Sequence, residues 1–456
     1  MEIKEIFEKK EALLNQEVEL NGWIRNHRKQ KDFGFLSLTD GTCFKKIQVV
    51  YNKDLNNFND IQKLLVGCSL NIKGKFVLSS GSEDYEILAD SIQVLGDCPE
   101  DYPIQPKRHT KEFLRENAYL RVRTNLFQAV FKIRSLAAMA IHEYFQNNGY
   151  VYVHAPIITA SDCEGAGEMF QVTNLNLEEI AKTGKFNQED DFFGKKAGLT
   201  VSGQLEGETF AMGFKKIYTF GPTFRAENSN TKTHMSEFWM IEPEIAFCDL
   251  KELMDIEEDM LKYIISYCLE KGRSELEFLD QNAENGLIAK LEKLVNSKFT
   301  RITHEEVITI LKEADVKWEF EPVYGEDIAK EHEKYITEYF DGPVFIFNWP
   351  KDIKAFYMKQ NDDGKTVAAV DLEIPGIGEL MGGSQREENL EKLINRIKEM
   401  NIDDKDLWWY INLRKYGTCV HSGFGLGFER LIMYLTGMEN IRDVIPYPRT
   451  PKNCEF

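Results

Sequence analysis

The sequence predicts an α+β protein made of a small N-terminal β-barrel and a larger C-terminal domain that mixes helices and strands. Residues 18–94 alternate short apolar runs with turns, residues 98–110 are proline-rich without apolar periodicity, and residues 124–148 have helical periodicity. A chain of 456 residues is also too long for one hydrophobic core. We expect a barrel domain over residues 1–98, a hinge over 99–123 and a second domain over 124–456, with a helical insertion at about 250–340.

The composition is that of an ordinary globular protein, with 43% hydrophobic and 29% charged residues. The first ten residues contain no apolar segment typical of a signal peptide, and no apolar run approaches membrane-spanning length. The eight cysteines form no CxxC pair, which argues against a zinc site or a disulfide framework. The net charge of −19 argues against indiscriminate nucleic-acid binding. We expect a cytoplasmic protein with reduced thiols and no membrane association.

Five short runs between residues 18 and 94 predict the strands of the barrel: VELNGWIRN, GFLSLTD, KKIQVVY, SLNIKGKFV and YEILADSIQVL. Five such strands fit an oligonucleotide-binding (OB) fold. Residues 25–46 carry six positive and two negative charges, a local excess of positive charge in an acidic chain. Phe33 and Phe35 alternate with Gly34 and Leu36, so these rings either fill the barrel core or face outward, where a ring can stack on an unpaired base.

The second domain begins with the clearest helix of the chain, predicted over residues 124–148 and ended by Gly149. A short strand over residues 150–153 follows and leads into Pro156. This helix either packs inside its own subunit or forms part of a dimer interface. Residues 174–196 are polar and acidic and predict a surface insertion.

Residues 218–247 predict two strands joined by a long polar loop, with a turn at Gly221-Pro222. Arg225 and Glu227 lie two residues apart and would share a face of the first strand, as Phe238, Glu242 and Glu244 would on the second. An arginine can clamp a phosphate, a ring can stack on a base, and carboxylates can hold Mg²⁺ or an ammonium group. The alternative is a solvated hairpin face with surface ion pairs.

Residues 344–350, 354–360 and 366–376 predict further strands. Asp371 and Glu379 bracket a proline-glycine turn, and Arg386 follows the sequence MGGS. Without further context, these two carboxylates are as compatible with a solvent-facing turn as with a metal site.

Residues 418–437 predict a strand, a glycine-rich turn and a helix. The glycines at 423, 425 and 427 give G-x-G-x-G, which differs from the G-x-G-x-x-G of dinucleotide-binding folds, and no P-loop lysine follows. Such glycines allow the backbone to approach a nucleotide closely.

The segment FRAENSNT…H…EFWMIEPEIAF resembles motif 2 of the class II aminoacyl-tRNA synthetases. The helix and strand at 124–153 are similar to motif 1, and residues 418–437 are similar to motif 3. Within the aspartyl, asparaginyl and lysyl subgroup, the spelling is most similar to the asparaginyl-tRNA synthetases, and the resemblance extends from about Val18 to the C-terminus.

This resemblance implies an antiparallel catalytic sheet flanked by helices, an OB-fold that binds the anticodon, and a homodimer. It implies ATP, L-asparagine and tRNA(Asn) as substrates, with Mg²⁺ at the ATP phosphates. Asparagine and ATP would form asparaginyl-adenylate and pyrophosphate, and the asparaginyl group would pass to the 3′ end of tRNA(Asn).

The resemblance also assigns roles to individual residues. Arg225 and Arg430 would be catalytic and contact the ATP phosphates. The other residues of the ATP site would be Glu227, His234, Phe238 and Glu379. Mg²⁺ would bind Asp371 and Glu379. The amino-acid site would comprise Glu164, Ser202, Gln204, Glu208, Glu242 and Arg386. The anticodon would contact Phe35, Arg25, Arg28 and Gln48.

Within the amino-acid site, Glu208 would accept a hydrogen bond from the amide NH₂ of asparagine, while Arg386 would donate to its C=O. Relatives carry an arginine where this chain has Thr233, which leaves Lys232 as a candidate for the missing charge. Two alternatives remain: an aspartyl-type or non-discriminating synthetase, and a non-catalytic paralogue that binds tRNA or a nucleotide. A tRNA-free asparagine synthetase is disfavoured by the N-terminal barrel.

Overall fold

A computed structural model of the chain describes residues 1–79, 81, 83–163, 169–229, 231–283 and 286–456. The chain forms two compact units, one of residues Met1–Gln128 with Phe456 and the other of residues Ala129–Glu455. Over the described ranges, no helix combines the length and the apolar character needed to cross a membrane.

The first unit contains the predicted five-stranded barrel, which is closed in the order β1-β2-β3-β5-β4. Its strands are β1 Glu17–Lys29, β2 Phe33–Thr39, β3 Ile47–Asn52, β4 Ser69–Leu78 and β5 Tyr85–Gly96. Neighbouring strands are antiparallel except for β3 and β5, which run parallel. Along β2, Gly34, Leu36 and Leu38 are buried, whereas Phe33 and Phe35 lie on the outer face. The open question about the two rings is therefore resolved in favour of the outward orientation.

A bulge at Arg25 changes which residues of β1 face the barrel interior. Ile24 pairs with Leu38 and Asn26 pairs with Ser37, so Arg25 is an extra residue without a partner in β2. Before the bulge the even-numbered residues are buried, and after it His27 points inward and bonds the hydroxyl of Tyr51 at 2.6 Å. Arg28 consequently lies on the outer face.

Short helices complete the first unit. They are α1 Ile3–Glu8, α2 Lys10–Leu13, α3 Phe58–Ile61, α4 Lys111–Glu116 and α5 Ala118–Arg121. The predicted linker at 98–110 contains no helix or strand, and Thr110 caps α4 by accepting a hydrogen bond from the N–H of Phe113 at 3.2 Å.

The second unit is built on an eight-stranded sheet that is antiparallel except at its two edges. Its strand order is β12-β13-β14-β15-β16-β11-β10-β6, and a small second sheet has the order β7-β9-β8. The strands are β6 Val151–Tyr152, β7 Ile158–Thr159, β8 Gln171–Val172, β9 Ala197–Leu199, β10 Lys216–Phe224, β11 Glu237–Ala246, β12 Thr300–Thr303, β13 Val344–Pro350, β14 Thr366–Ile374, β15 Gly378–Gln385 and β16 His421–Gly427.

Helices flank this sheet. They are α6 Asn125–Asn147, α7 Leu177–Thr183, α8 Gln204–Phe214, α9 Leu250–Lys271, α10 Arg273–Ala283, α11 Leu287–Asn296, α12 His304–Glu313, α13 Lys330–Tyr339, α14 Leu390–Glu399, α15 Trp408–Asn412 and α16 Phe428–Thr436. Single 3₁₀ turns occur at Gln188–Asp190, Lys351–Ile353 and Ile441–Asp443. The region 250–340 is helical as predicted, although it also contributes the edge strand β12.

The predicted helix α6 packs against the sheet. Phe145 stacks on Tyr218 of β10 at 4.5 Å between ring centroids. Arg134 of α6 forms an ion pair with Glu429 of α16 at 2.7 Å, and the other Glu429 oxygen accepts the backbone N–H of Trp239. Glu429 therefore links α6, α16 and β11 to one another.

The hairpin at 218–247 forms as β10 and β11, but the predicted turn at Gly221-Pro222 is wrong. Both residues lie within β10, where Pro222 pairs with Trp239. Proline has no N–H to donate to a neighbouring strand. The N–H of Trp239 bonds to Glu429 and not to β10, so the Pro222–Trp239 position of the sheet does not need a backbone hydrogen bond. Arg225 follows the last residue of β10, so it lies at the strand end and not on the strand.

Two other local predictions are also wrong. The run 354–360 forms no regular strand and makes only isolated bridges, between Met358 and Arg386 and between Gln360 and Val367. The glycines at 423, 425 and 427 lie within β16 and not in a turn, and β16 leads directly into α16.

Candidate active site

Two adjoining cavities open on one face of the eight-stranded sheet, with volumes of about 170 and 280 Å³. Both are lined by Arg225, Met240, Glu379 and Gly425. The first also contains Glu227, His234, Phe238 and Arg430, and the second contains Ser202, Gln204, Glu242, Glu244, Asp371 and Arg386. Residues predicted from widely separated segments are thus brought together, with Arg225 at the boundary.

The first cavity combines two arginines with an aromatic ring. The guanidinium carbon of Arg225 lies 5.4 Å from the ring centroid of Phe238. Arg430, in the first turn of α16, donates from Nη1 to the backbone oxygen of Glu379 at 2.8 Å, and the same nitrogen lies 3.6 Å from a carboxylate oxygen of Glu379. Two cations and a flat apolar surface suit a phosphate chain attached to a planar base.

The polar loop beyond β10 brings His234 into this cavity. Burial lowers the pKa of His234, and the charge of Arg430 acts in the same direction. The Oγ1 of Thr233 lies 3.4 Å from Nζ of Lys330, which belongs to α13. Lys330 therefore brings a positive charge next to Thr233, where relatives carry an arginine. From the sequence, Lys232 was the candidate for this charge. Local sequence contains no hint of this contact, because 97 residues separate Thr233 from Lys330.

Asp371 and Glu379 converge beside Gly382. A Cβ at Gly382 would lie 3.1 Å from Oε1 of Glu379 and 3.2 Å from Oδ1 of Asp371. The other Asp371 oxygen accepts a hydrogen bond from Nζ of Lys354 at 2.6 Å, and this ammonium lies 3.9 Å from the Trp349 ring centroid. Burial raises the pKa of Asp371 to about 6, although Lys354 opposes the shift.

These two oxygens fit a hard cation such as Mg²⁺, which commonly takes one or two carboxylates and fills its remaining positions with water and phosphate. In the described ranges, no group of three or more His, Cys, Asp or Glu side chains is arranged to hold a metal ion by itself. A metal at this position would accordingly depend on nucleotide oxygens as well as on Asp371 and Glu379.

Two further carboxylates, Glu333 and Glu373, lie next to this pair and were not predicted. Burial and then the charge of Glu379 raise the pKa of Glu333 to about 7. Burial raises the pKa of Glu373 well above its ordinary value, and the neighbouring acid Glu333 adds to the effect. Glu333 belongs to α13, in the helical region where the sequence indicated no site.

In the second cavity, Glu242 is held by three donors. The Ser202 hydroxyl hydrogen-bonds to Oε1, while Oε2 accepts from the backbone N–H of Gly203 at 3.0 Å and from the Thr219 hydroxyl at 3.3 Å. Ser202, Gln204 and Glu242, which the resemblance assigns to one amino-acid site, thus line one cavity. Glu164, which was assigned to the same site, falls outside the described residues.

Arg386 is paired with Glu244, a residue to which the sequence assigned no role. Its Nε donates to Glu244 Oε2 at 3.2 Å, Nη2 donates to Oε1, and Nη1 donates to the Ser384 hydroxyl at 2.9 Å. Both side chains are buried. Burial raises the pKa of Glu244, and the paired guanidinium opposes that shift. The position of Glu244 two residues after Glu242 on β11 was the available signal, because both must face the same side.

The prediction that Glu208 contacts the substrate amide needs correction. Glu208 is fully buried and does not line either cavity. Its Oε1 accepts from Gln204 at 3.1 Å and from the Tyr410 hydroxyl at 2.9 Å, and Oε2 lies 2.9 Å from both Arg414 and His421. Burial alone would raise the pKa of Glu208, but Arg414 and His421 outweigh burial and lower it. Both oxygens are occupied, and among the residues that the structure describes Gln204 is the one cavity-lining side chain that bonds to Glu208.

Glycines of β16 make room for side chains of β11. A Cβ at Gly423 would lie 2.2 Å from Oε1 of Glu244, and a Cβ at Gly425 would lie 2.7 Å from the methyl group of Met240. The glycine at 423 is therefore required by the Glu244 carboxylate, whereas the sequence suggested a direct approach to the nucleotide.

On the barrel, a cavity of about 620 Å³ contains three of the four residues assigned to the anticodon, Phe35, Arg28 and Gln48. The Arg28 guanidinium lies 4.9 Å from the Phe35 ring centroid and donates to Gln48 Oε1 at 2.7 Å. Arg25 is not with them. Because of the bulge, it lines a separate basic cavity and lies 3.4 Å from the side-chain oxygen of Asn125.

Residues 110–451 match the family described as tRNA synthetases class II (D, K and N), and residues 18–95 match the OB-fold nucleic acid binding domain. This chain belongs to the class II tRNA synthetases. The predicted fold, an OB-fold followed by a class II catalytic domain, is thereby confirmed.

Several known proteins are similar to this class II synthetase over its full length. The asparagine–tRNA ligase of Acholeplasma laidlawii is 57% identical over 100% of this chain and 99% of its own. The asparagine–tRNA ligase of Alkaliphilus metalliredigens is 53% identical, again over 100% of this chain and 99% of its own. The crystal structure of asparaginyl-tRNA synthetase from Pyrococcus horikoshii complexed with asparaginyl-adenylate has a TM-score of 0.87 and 32% identity, and the match covers 100% of this chain and 99% of that one.

Proposed function

We propose that this synthetase is an asparagine–tRNA ligase. It activates L-asparagine with ATP to asparaginyl-adenylate and pyrophosphate, and then transfers the asparaginyl group to the 3′ end of tRNA(Asn). The observation that carries the proposal is the pair of adjoining cavities with Arg225 between them, one suited to a nucleotide and the other containing the Glu244–Arg386 pair. The full-length similarity to asparagine–tRNA ligases points to the same reaction.

ATP occupies the first cavity in this proposal. Its adenine stacks on Phe238, Arg225 holds the α-phosphate, and Arg430 holds the γ-phosphate, with Glu227 and His234 at the rim. Asp371 and Glu379 hold Mg²⁺, which supplies additional charge neutralisation at the phosphates. Lys330 adds positive charge beside the loop that contains Thr233.

L-Asparagine occupies the second cavity, with its ammonium group facing Glu242 and Gln204. Its amide faces the Glu244–Arg386 pair. Arg386 donates to the amide oxygen and Glu244 accepts from the amide nitrogen, so the site requires a donor and an acceptor on the same side chain. Aspartate has no N–H donor on its side chain, so the acceptor at Glu244 would be left unpaired, which favours asparagine over aspartate. Glu244 thus takes over the role first assigned to Glu208.

The reaction needs no nucleophile from the enzyme. The asparagine carboxylate attacks the α-phosphorus of ATP in line, the bond from that phosphorus to the bridging oxygen breaks, and pyrophosphate leaves. Arg225 lies at the junction of the two cavities and neutralises charge at the α-phosphate during the attack. The 3′-hydroxyl of tRNA then attacks the adenylate carbonyl, and AMP leaves.

The anticodon of tRNA(Asn) binds the outer face of the barrel. Phe35 stacks on an unpaired base, while Arg28 and Gln48 provide hydrogen-bonding groups beside the ring. Arg25 lies in the separate basic cavity, where contact with the phosphate backbone suits it better than contact with a base.

A homodimer in the cytoplasm is part of the proposal. The resemblance of α6 to motif 1 supports a subunit interface there, and Met139 on this helix is 56% exposed in the single chain. Size-exclusion chromatography with light scattering would show twice the mass of 52.8 kDa for a dimer. A monomer at micromolar concentration would remove this part of the proposal.

The decisive experiment is pyrophosphate exchange with each of the twenty amino acids, followed by charging of bulk tRNA. Asparagine should support exchange and aspartate should not. Exchange with aspartate would favour an aspartyl-type or non-discriminating synthetase, and no exchange with any amino acid would favour a non-catalytic paralogue.

A further inference from the structure

Within the described part of the chain, the fully buried carboxylate of Glu208 receives four hydrogen bonds, and one of them comes from a residue that lines the substrate cavities. That residue is Gln204, whose Nε2 lies 3.1 Å from Glu208 Oε1. The other three donors are Tyr410, Arg414 and His421. Glu208 therefore connects a rigid interior cluster to one amide group in the wall of the amino-acid cavity.

The charge of Glu208 decides which way the Gln204 amide is turned. An ionised carboxylate accepts hydrogen bonds and cannot donate them, so the amide must direct its NH₂ group toward Glu208. The amide oxygen then faces the cavity. Among the residues that the structure describes, none donates a hydrogen bond to this oxygen. Gln204 accordingly presents an unused acceptor on the same wall as Glu242.

Glu208 itself has little freedom to turn. Arg414 is anchored by a second bond, from its Nε to the backbone oxygen of Glu387 at 2.8 Å. The two ring nitrogens of His421 face the backbone oxygen of Cys419 and the Glu208 carboxylate, both at 2.9 Å. Because these partners are tied to the backbone, the orientation imposed on Gln204 is fixed before a substrate enters.

We propose that Glu208 is a positioning residue that turns the Gln204 amide so that its oxygen accepts a hydrogen bond from the ammonium group of bound asparagine. This inference rests on the proposed function, because it assigns the second cavity to asparagine. Glu208 would then contribute to recognition of the α-amino group and not, as the sequence suggested, to recognition of the side-chain amide.

Glu208→Gln tests this assignment because it preserves the shape of the side chain. The oxygen of the introduced amide remains opposite Arg414 and His421, and its NH₂ group is directed at Gln204. The Gln204 amide must then turn over and present NH₂ to the cavity, where a donor opposes the ammonium group. We expect asparagine affinity, measured by calorimetry, to fall roughly ten- to hundredfold, the effect of losing a hydrogen bond to a charged group.

Binding of succinamate, which is asparagine without its α-amino group, separates a positioning role of Glu208 from a general disruption of the cavity. Its affinity should change less than about twofold in Glu208→Gln, because it offers no ammonium for Gln204. Tyr410→Phe is the matched control, since it removes a different bond to the same Glu208 oxygen and leaves Gln204 in place. This control should keep the ratio of asparagine to succinamate affinity at the wild-type value.

A double-mutant cycle with Gln204→Leu provides the second test. If Glu208 acts through Gln204, then Glu208→Gln should cause no further loss of asparagine affinity in the Gln204→Leu background. Should Glu208→Gln leave Arg414 unpaired and unfold the protein, the charge-balanced variant Glu208→Gln/Arg414→Met takes its place with the same expected ratio.

Equal losses for asparagine and succinamate, or no loss for either, would overturn the positioning role. Those outcomes differ from a failure of the proposed function, which would appear as a wild-type protein that does not bind asparagine at all.

Discussion

Replacement of Phe35 by alanine should weaken tRNA binding without affecting amino-acid activation. Phe35 lies on the outer face of the barrel, and its ring is 4.9 Å from the guanidinium of Arg28. Stacking of a base on an aromatic ring is worth about 1–3 kcal/mol, which corresponds to a factor of roughly 5 to 150 in affinity. Because the ring faces outward, its removal leaves the barrel core intact, and we expect little change in thermal stability.

The assay is the KM for tRNA in aminoacylation, compared with the rate of asparagine-dependent pyrophosphate exchange without tRNA. We expect the KM to rise by roughly 5- to 150-fold while the exchange rate stays at the wild-type level. Trp23→Ala is the matched control, because Trp23 is an aromatic residue on the outer side of β1, is 43% exposed and does not line the cavity that contains Phe35. We expect it to change the KM less than about threefold.

Two results would refute the reasoning. An unchanged KM in Phe35→Ala would mean that no base stacks on the ring. Equal increases in Trp23→Ala and Phe35→Ala would mean that the outer face acts only through general contact and not through one stacked base.

Three further predictions concern the second unit. Arg225→Ala should lower the kcat of pyrophosphate exchange by about a hundredfold or more, because the charge between the two cavities is lost; a fold-neutral variant that keeps normal exchange would contradict this role. Lys330→Ala should raise the KM for ATP by roughly three- to tenfold, whereas Lys334→Ala, one turn further along α13 and paired with Glu338 at 3.8 Å, should not. His304 is fully buried, and burial lowers its pKa from 6.5 to about 4. Since the unfolded histidine takes up a proton near pH 6.5 and the folded one only near pH 4, stability contributed by the neutral ring is lost as the pH falls through this window. His304→Gln should therefore show a smaller fall in melting temperature between pH 7 and pH 5, and an unchanged fall would exclude His304 as its cause.

The sequence predicted those parts of the fold that depend on local periodicity. Period-two runs gave the five barrel strands, and the apolar spacing of residues 124–148 gave α6 nearly to the residue. Glycine and proline were misleading within the sheet. Pro222 and the β16 glycines suggested turns, but Pro222 is tolerated because of Glu429, and Gly423 is required because Glu244 needs its space. Both reasons are contacts with distant parts of the chain.

For the candidate site too, the sequence predicted what depends on local motifs and missed what depends on contacts between distant segments. Three residues of recognisable motifs line the first cavity together: Arg225, Phe238 and Arg430. Glu208 was placed on the cavity wall because its charge suits an amide, but local sequence does not reveal that Arg414 and His421 lie beside it. Lys354, Lys330 and Glu333 escaped notice for the same reason, since their partners are distant in the chain.

The glycines of β16 have a consequence for changing the amino-acid specificity of the enzyme. At two positions of β16, any residue other than glycine would place a carbon against a side chain that lines the amino-acid cavity: the Glu244 carboxylate at Gly423 and the Met240 methyl group at Gly425. An engineer who wishes to enlarge or reshape the cavity gains nothing from substitutions at Gly423 or Gly425, because every alternative fills the space. Libraries for new substrates should leave β16 unchanged and vary the side chains that β11 and β15 project above it.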